Sequence, residues 1–409
     1  MKIFAGFILA LGVPALLSCG GTAPSPAAGE TANAVSAVTL RKGPPARRIL
    51  ERCMPEAMTD GIVKVAVVLN QAGGDQTWRF TAACVSEGRS MGFTVDTFLT
   101  DGEHERCREL VGRIAGADYD GLILARGGPG FSYSSLTPIL DKGIKVVTFD
   151  VPPNKNGDFS GGLMPGITST VQGDESLARL SLEAILARFD ESGQNPGRRP
   201  VRVIRVWFGP GIPELDRRQR VFDEFVREGK IEEAALVSPK DFSFARSGVK
   251  EALTAALARL PEGTVDAVWA SHDEFAKGCA DALYETGRLD IKLVSIGISN
   301  DDLKQMLARS AVWLCAAAED PGLIGTVNMR LLAAKLAGEE TPDTYIFEGR
   351  LVNTASLSPT VTMANIAVML PDWGRDRGLF DQYPWMTELK AAESKYLRLP
   401  PVHIFAESP

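Results

Sequence analysis

Residues 63–99, VKVAVVLNQAGGDQTWRFTAACVSEGRSMGFTVDTFL, decide the fold of this chain. A β-branched run at 63–70 predicts a strand, and apolar or small residues at helical spacing over 77–92 predict a helix. A second strand is predicted over 93–99, and strands and helices keep alternating as far as Asp150. This order predicts an α/β fold with a parallel sheet and right-handed crossovers.

A second series of the same kind follows an irregular, proline- and glycine-rich stretch at 151–172. Two consecutive series predict two Rossmann-like parallel-sheet lobes rather than one sheet of a dozen strands. Ligands of such sheets bind outside the carboxyl ends of the strands. With two lobes joined by a hinge, the expected ligand site is the cleft between them.

The bulk composition narrows the function. The chain has 409 residues, which is more than one domain usually holds. Its net charge of −7 and the lack of a Lys/Arg-rich block argue against a nucleic-acid partner. With three histidines and no clustered Cys/His spacing, we expect no metal site, and no motif calls for a cofactor.

The N-terminus predicts export. Residues 3–17, IFAGFILALGVPALL, are apolar but too short to span a membrane, which is typical of a secretory signal peptide. The following Ser18-Cys19 resembles the lipobox of bacterial lipoproteins, in which the cysteine is acylated. We therefore expect a signal peptide over 1–18 and a lipid anchor at Cys19 with a tether over 19–60, on the periplasmic side of the cell envelope. A signal peptide that merely contains a cysteine, or a weak anchor helix, is the alternative.

Five cysteines remain when Cys19 is set aside, namely Cys53, Cys84, Cys107, Cys279 and Cys315. An odd number leaves at least one unpaired within the chain. Export permits disulfides, and Cys84 with Cys107 is one candidate pair. Buried, reduced cysteines that pack as small apolar residues are the alternative.

Polar and aromatic residues that follow the predicted strands are candidates for the cleft. A carboxylate accepts hydrogen bonds from hydroxyls, a guanidinium donates in a planar fork, and a ring covers the C–H face of a sugar. These types suit a polyhydroxylated ligand. The candidates are Trp78, Arg126, Asp150, Arg218, Phe242, His272, Asn300 and Glu319.

Several candidates have a structural alternative. Trp78 and Phe242 also fit a core position, and Glu319 also fits next to the helix start after Pro321 through its charge. Asp273, next to His272, is better explained as a helix N-cap than as a ligand contact. Asp150 is the hardest to explain structurally, because two prolines follow Val151 and no helix begins behind it.

From about 63 to 367 the layout resembles the type I periplasmic solute-binding proteins of the ribose/galactose group. The resemblance is carried by VVTFDVPPN, GIPELDRRQRVF, AVWASHDEFAKG and SPTVTMANI, in this order and spacing. It implies that Asp150 and Arg218 bind the ligand and that Trp78 and Phe242 supply its aromatic contacts. It also implies an N-terminal lobe over 61–168 plus about 321–350, a C-terminal lobe over 169–320 plus about 351–367, and an extension over 368–409 with a helix near 386–396.

Four positions depart from that family. Val151 stands where the family commonly has an arginine, His272 where it has an asparagine, and Arg126 where it has an amide side chain. Gly297 stands where the family has an aspartate, and Asn300 would take over the role of that aspartate. A pocket with two arginines and a histidine also suits a sugar acid or another anion.

The resemblance implies a substrate-binding lipoprotein of an ABC importer. It would bind a monosaccharide or a related small polar molecule by hinge closure and deliver it to ABC permease subunits. Alternatives with the same fold are a receptor for a sensor kinase or chemoreceptor, and a binder of a sugar acid, polyol or nucleoside. A hydrolase or isomerase using Asp150 and His272 is the alternative from another class, but the chain has no G-x-S-x-G elbow and no Walker loop. We therefore expect no catalytic residues.

Overall fold

The computed structural model describes residues 54–58, 62–71, 73–127, 133–150, 154, 162–191, 199–375 and 383–396. In chain order these contain the strands β1 (Lys64–Leu69), β2 (Thr94–Leu99), β3 (Gly121–Ala125), β4 (Lys145–Phe149), β5 (Ile167–Val171), β6 (Val201–Val206), β7 (Ile231–Val237), β8 (Ala267–Ala270), β9 (Lys292–Ile296), β10 (Trp313–Ala318), β11 (Thr344–Ile346) and β12 (Arg350–Asn353).

The same residues contain the helices α1 (Asp75–Ser90), α2 (His104–Ala115), α3 (Tyr133–Asp141), α4 (Asp174–Glu191), α5 (Pro213–Arg227), α6 (Ala245–Leu257), α7 (Asp273–Glu285), α8 (Asn300–Ala308), α9 (Pro321–Leu336) and α10 (Pro384–Tyr396). Short 3₁₀ turns lie at Glu56–Met58, Phe242–Phe244, Thr354–Ser356 and Ile366–Val368.

The strands form two six-stranded sheets. The first has the order β11-β5-β4-β3-β1-β2 and is parallel throughout. The second has the order β12-β10-β9-β8-β6-β7 and is parallel except for β12. Its central strands, like those of the first sheet, are buried along their length, as expected for sheets that helices cover on both faces. The two-lobe α/β fold expected from the sequence is confirmed.

The chain crosses between the sheets in three places, after β5, after β10 and after β11. Helix α4 packs against β9 and β10 of the second sheet, whereas α9 packs against α1, β3 and β4 of the first. The lobe boundary expected at 168/169 lies inside β5, which pairs with β4. We therefore place the first crossing after Val171.

Helices α1 and α9 pack closely enough to require a glycine. A Cβ built on Gly325 of α9 would lie 2.3 Å from the carbonyl oxygen of Phe80 in α1. Because glycine has no Cβ, the two backbones approach without a clash. This contact joins the helix that begins at the hinge to the helix whose first turn faces the cleft.

The C-terminal extension packs on both lobes. Trp373 belongs to the core of the second lobe, whereas Tyr383, Met386 and Leu389 belong to the core of the first. Lys390 Nζ donates to Glu87 Oε2 at 2.8 Å and so fastens α10 to α1. The helix expected near 386–396 is confirmed as α10.

The described cysteines, Cys84, Cys107, Cys279 and Cys315, are all buried and free. The candidate disulfide Cys84–Cys107 is therefore wrong. The two thiols belong to different clusters: Cys84 packs with Val65 and Val67 of β1, whereas Cys107 packs with Ala66 and Val68 of the same strand. Since side chains alternate across a strand, the thiols lie on opposite faces of the first sheet. Cys84 Sγ instead donates to the carbonyl oxygen of Gly325 at 3.3 Å.

Residues 1–53 lie outside the described part of the chain, and with them the expected signal peptide, the lipidation site Cys19, and Cys53. Where the structure is described, no helix is long and apolar enough to cross a membrane. Within the same residues, no three His, Cys, Asp or Glu side chains converge to hold a metal ion.

Candidate functional site

A cavity of about 70 Å³ lies between the carboxyl ends of the two sheets. Both lobes and the hinge line it, with polar groups from Gln71, Gln76, Thr77, Arg126, Gln172, Glu214, Arg218, His272, Asp273 and Glu319. The apolar part of the wall comes from Leu69, Phe80, Phe149, Leu177, Ile296, Ile298, Ala318, Pro321 and Ile324. Of the eight residues predicted from the sequence, four line this cavity: Arg126, Arg218, His272 and Glu319.

Strands β3 and β4 both end in a residue with left-handed backbone. Arg126 has a φ of 53° and Asp150 a φ of 52°. Their amides still extend the sheet, because Arg126 N donates to Phe149 O at 2.8 Å and Asp150 N donates to Thr170 O at 2.9 Å. This conformation costs about 1–2 kcal/mol for a residue with a Cβ. Strain of this kind concentrates at functional sites, where it fixes the direction of a side chain.

Asp150 lies behind the cavity wall rather than on it. Its Oδ1 accepts from the amide of Gln172 at 3.0 Å, and its Oδ2 lies 3.8 Å from Arg126 Nε. Burial raises the pKa of Asp150 to about 7, against the opposing effect of Arg126. The structure therefore does not bring the carboxylate that the sequence favoured most to the cavity. It positions Gln172 and Arg126, which do line it.

Arg218 lines the cavity while it is bound to the fully buried carboxylate of Asp174. Arg218 Nε donates to Asp174 Oδ1 at 2.8 Å, and Arg218 Nη1 donates to the carbonyl oxygen of Ser271 at 2.7 Å. The adjacent Arg217 donates to the other oxygen, Oδ2, at 2.6 and 2.9 Å. One buried acid thus holds two arginines of α5, and its single negative charge offsets one of their two positive charges.

His272 and Asp273 begin α7 and face the cavity together. His272 Nδ1 accepts from the amide of Glu274 at 3.2 Å and lies 2.8 Å from Asp273 Oδ1. Burial opposes the charged form of Asp273, but His272 and Lys277 outweigh it and hold the pKa of this carboxyl below its usual range. The N-cap of α7 is His272, so the expectation that Asp273 is the N-cap is wrong; Asp273 is the first residue of the helix. Its carboxylate accepts from the amide of Glu274 at 2.9 Å and lines the cavity.

Glu319 ends β10 at the second crossing. Its Oε1 accepts from the amide of Gly173 at 2.7 Å. Its Oε2 has no hydrogen-bond partner among the described residues, although the residue is only 8% exposed. Burial raises the pKa of Glu319 to about 8, and the nearby Asp174 and Asp150 add to the shift.

The structure does not bring Trp78 or Phe242 to the cavity wall. Trp78 is 41% exposed and lies beside Gly73. Phe242 packs edge-on against His272, with ring centroids 5.3 Å apart, and so supports a cavity residue from behind. The aromatic wall consists instead of Phe80 and Phe149, which are stacked with centroids 5.6 Å apart.

Asn300 lies outside the cavity wall because its side chain is used between the lobes. Its Nδ2 donates to Asp75 Oδ1 at 2.9 Å, and its amide donates to Asp75 Oδ2, also at 2.9 Å. Its Oδ1 accepts from the amide of Met363 at 2.9 Å. A third contact across the cleft runs from Gln76 Nε2 to the carbonyl oxygen of Ile298 at 3.1 Å. We call the Asp75–Asn300 pair the interlobe clamp.

Sequence reasoning missed Phe80, Phe149, Gln76, Gln172 and Glu214. The helical period of α1 could have identified its cavity residues. Gln76, Thr77 and Phe80 share one face of the helix, and Trp78 lies on another face. Phe149 was within reach, because it directly precedes Asp150 and its side chain points to the other face of the strand. Gln172 and Glu214 follow irregular segments and had no comparable signal.

Comparison with known proteins agrees with this architecture. A sequence model described as "periplasmic binding protein domain" matches residues 65–340. A sugar ABC transporter structure from Yersinia enterocolitica subsp. enterocolitica 8081 is 33% identical, covering 83% of this chain and 98% of that one, with a TM-score of 0.69. A search of curated proteins found no match.

Two more distant structures share the fold. A 5-methylthioribose transporter solute-binding protein from Thermotoga lettingae TMO is 23% identical, covers 83% of this chain and 99% of its own, and has a TM-score of 0.66. A carbohydrate transporter solute-binding protein from Agrobacterium radiobacter, in complex with D-arabinose, is 13% identical, covers 73% and 97%, and has a TM-score of 0.58.

Proposed function

This chain belongs to the periplasmic binding protein domain family, with the type I fold, and we propose that it is the substrate-binding protein of an ABC importer. It binds a monosaccharide or a related small polar molecule and closes its two lobes over it. The observation that carries the proposal is the cavity at the carboxyl ends of both sheets, to which each lobe and the hinge contribute polar side chains.

The division of the wall between the lobes explains how binding drives closure. Arg126 and Gln76 come from the first lobe, Arg218 and His272 from the second, and Glu319 from the hinge. A ligand contacts both sets only when the lobes are together, so it binds the closed state more tightly than the open one. Such a difference in affinity is what shifts a hinge equilibrium.

The chemistry of the wall suits a sugar. Amide, guanidinium and carboxyl groups supply donors and acceptors for hydroxyls, and the stacked Phe80 and Phe149 offer an apolar surface for ring C–H groups. We propose Arg126, Arg218, His272 and Glu319 as ligand contacts, together with Gln76 and Gln172.

A ligand panel tests the function. Thermal shift followed by calorimetry would compare 5-methylthioribose, D-arabinose, D-glucuronate, a polyol and a nucleoside. We expect micromolar or tighter binding of at least one uncharged member, with a decrease in the radius of gyration on binding. The proposal fails if no member binds, and turnover of a bound sugar that His272→Ala abolishes would establish the hydrolase or isomerase alternative.

We further propose that Cys19 carries the lipid anchor and that the protein works at the periplasmic side of the envelope, with ABC permease subunits as partners. The support is the lipobox-like Leu16-Leu17-Ser18-Cys19 after an apolar run. In cells that are fed a labelled fatty acid, Cys19→Ser should give an unlabelled precursor. The control Cys53→Ser should be labelled to the same extent as the native chain. Labelling of Cys19→Ser would refute the anchor.

A further inference from the structure

Glu319 lines the ligand cavity and has one carboxyl oxygen without a hydrogen-bond partner among the described residues. It stands directly after β10, where the chain crosses between the lobes, and the amide of Gly173 donates to its Oε1 at 2.7 Å. Its Oε2 is buried and has no partner among the described residues. The residue lines the cavity. The protein therefore provides a hydrogen bond to Oε1, whereas Oε2 remains without a partner among the described residues.

Among the described residues, no cation forms an ion pair with Glu319. Arg218, the nearest guanidinium, donates through Nε to Asp174 and through Nη1 to Ser271 O, and its Nη2 lies 3.4 Å from Gln172 Oε1. From the first lobe, Arg126 faces Asp150 at 3.8 Å. Each nearby guanidinium is thus engaged with another protein group.

The other charged groups around Glu319 are mainly acids. Asp174 at the start of α4 and Asp150 after β4 both act on it electrostatically, and Glu214 of α5 lines the same cavity. The His272–Asp273 pair lines the same cavity. Burial and these carboxylates favour the neutral form of Glu319, whereas the hydrogen bond from Gly173 and the charge of Arg218 oppose it. The burial-raised pKa of about 8 agrees with this.

We propose that Glu319 binds the ligand as a neutral carboxylic acid, with its Oε2 hydroxyl donating a hydrogen bond to an acceptor oxygen of an uncharged sugar. The acceptor is a ring oxygen or a hydroxyl oxygen. This inference rests on the proposed function and names how one of its residues selects the ligand. A neutral acid has a single donor, and this oxygen has no hydrogen-bond partner among the described residues, so a ligand acceptor would complete its pairing.

The sign of the pH dependence follows. The donor exists only in the protonated form, so affinity is full below the pKa of Glu319 and falls as the pH rises through about 8. Above that value the loss approaches tenfold per pH unit, since one proton is linked to binding. A carboxylate that accepted from a ligand hydroxyl would give the opposite trend.

Glu319→Gln is the discriminating variant. Its amide oxygen can accept from Gly173 and its NH₂ can donate to the ligand, so it keeps the hydrogen-bond pattern of the neutral acid and cannot ionise. With 5-methylthioribose and D-arabinose as probes, we expect its affinity at pH 6.5 to lie within about threefold of the native chain, with no decline up to pH 9. A loss of tenfold or more at pH 6.5, or a native affinity that rises with pH, would overturn the proposal.

Asp302→Asn is the matched control. Asp302 is another buried carboxyl, in α8, whose pKa burial raises to about 7, but it does not line the cavity. This variant should keep the native pH profile of binding, which separates ligand contact from a general effect of pH on the fold.

An infrared difference spectrum at pH 7 between the native chain and Glu319→Gln needs no ligand. We expect the native-minus-variant difference to contain the carbonyl band of one additional protonated carboxyl, and the absence of that band would overturn the proposal. If no member of the ligand panel binds at any pH, the sugar-binding function fails, while the spectrum still decides the state of Glu319.

Discussion

Replacing Asp75 with alanine should weaken ligand binding by about 5- to 30-fold without unfolding either lobe. Asp75 accepts two hydrogen bonds of 2.9 Å from Asn300 in the interlobe clamp, and these contacts exist only when the lobes are together. Losing them removes free energy from the closed state and leaves each lobe's own core intact.

The magnitude follows from the exposure of the clamp. A hydrogen bond to a charged group is worth about 1.5–3 kcal/mol when it is buried. The Asp75 side chain is 27% exposed, and water replaces Asn300 on opening, so we take about 1–2 kcal/mol for the pair together. At 1.4 kcal/mol per tenfold change in affinity, this corresponds to about 5- to 30-fold.

Asp75 is a better target than Asn300, because Asn300→Ala would also leave the amide of Met363 without its acceptor. Asp75 lies in the first turn of α1, where its charge contributes about 0.3–1 kcal/mol to stability through the helix dipole. Glu105→Ala controls for that term, since Glu105 lies in the first turn of α2 and pairs with Arg108 of its own helix.

The assay combines three measurements. Calorimetry with a sugar of the panel that binds gives the affinity, small-angle scattering of the ligand-bound protein gives the mean radius, and urea unfolding reports whether the lobes remain folded. We expect weaker binding and a larger mean radius for Asp75→Ala, and native behaviour for Glu105→Ala. An affinity within twofold of the native value, in a variant whose lobes remain folded, would refute a role of the clamp in closure.

Three further outcomes are expected. Arg218→Ala should lower the free energy of unfolding by about 3 kcal/mol, because Arg217 is then the one ion-pair partner left for the fully buried Asp174 among the described residues. Chemical denaturation measures this loss, and a value below about 1 kcal/mol would contradict the importance of the Arg218–Asp174 pair. Trp78→Ala should change affinity by less than about threefold, since its indole is off the cavity wall, and a tenfold loss by calorimetry would return it to the site. Burial raises the pKa of Asp302 to about 7 from 3.8, so the stability that this group contributes is full below about pH 4 and lost by about pH 7. In Asp302→Asn the midpoint of urea unfolding should therefore depend less on pH between these values. A pH dependence equal to that of the native chain would contradict this prediction.

The candidate site was about half predictable. Parallel strands put the residue after each strand at one sheet edge, which is how Arg126 and Glu319 were found. The same rule named Asp150 and Asn300, but it does not say whether a side chain at that edge faces the cavity or another protein group. Asp150 binds the amide of Gln172, and Asn300 binds Asp75 of the other lobe.

The sequence did not identify the aromatic residues of the cavity wall, and the reason is geometrical. Trp78 and Phe80 are two residues apart on α1 and so face different directions, and only the packing of α1 against α9 decides which one turns towards the cleft. Likewise, the partners of the two pocket arginines could not be read from the sequence. Asp174 is far from Arg218 in the chain, and only the fold shows that it compensates that guanidinium.

The sequence by itself determined the two-lobe α/β fold, because the periods of strands and helices are local and each segment carries its own. It also placed the cleft, since the edge at which parallel strands end follows from their direction. Only the tertiary structure decided which side chains reach that cleft and in which direction their pKa values shift. Those depend on burial and on partners brought from distant parts of the chain, as with Glu319, whose neighbours Gly173 and Asp174 lie nearly 150 residues earlier.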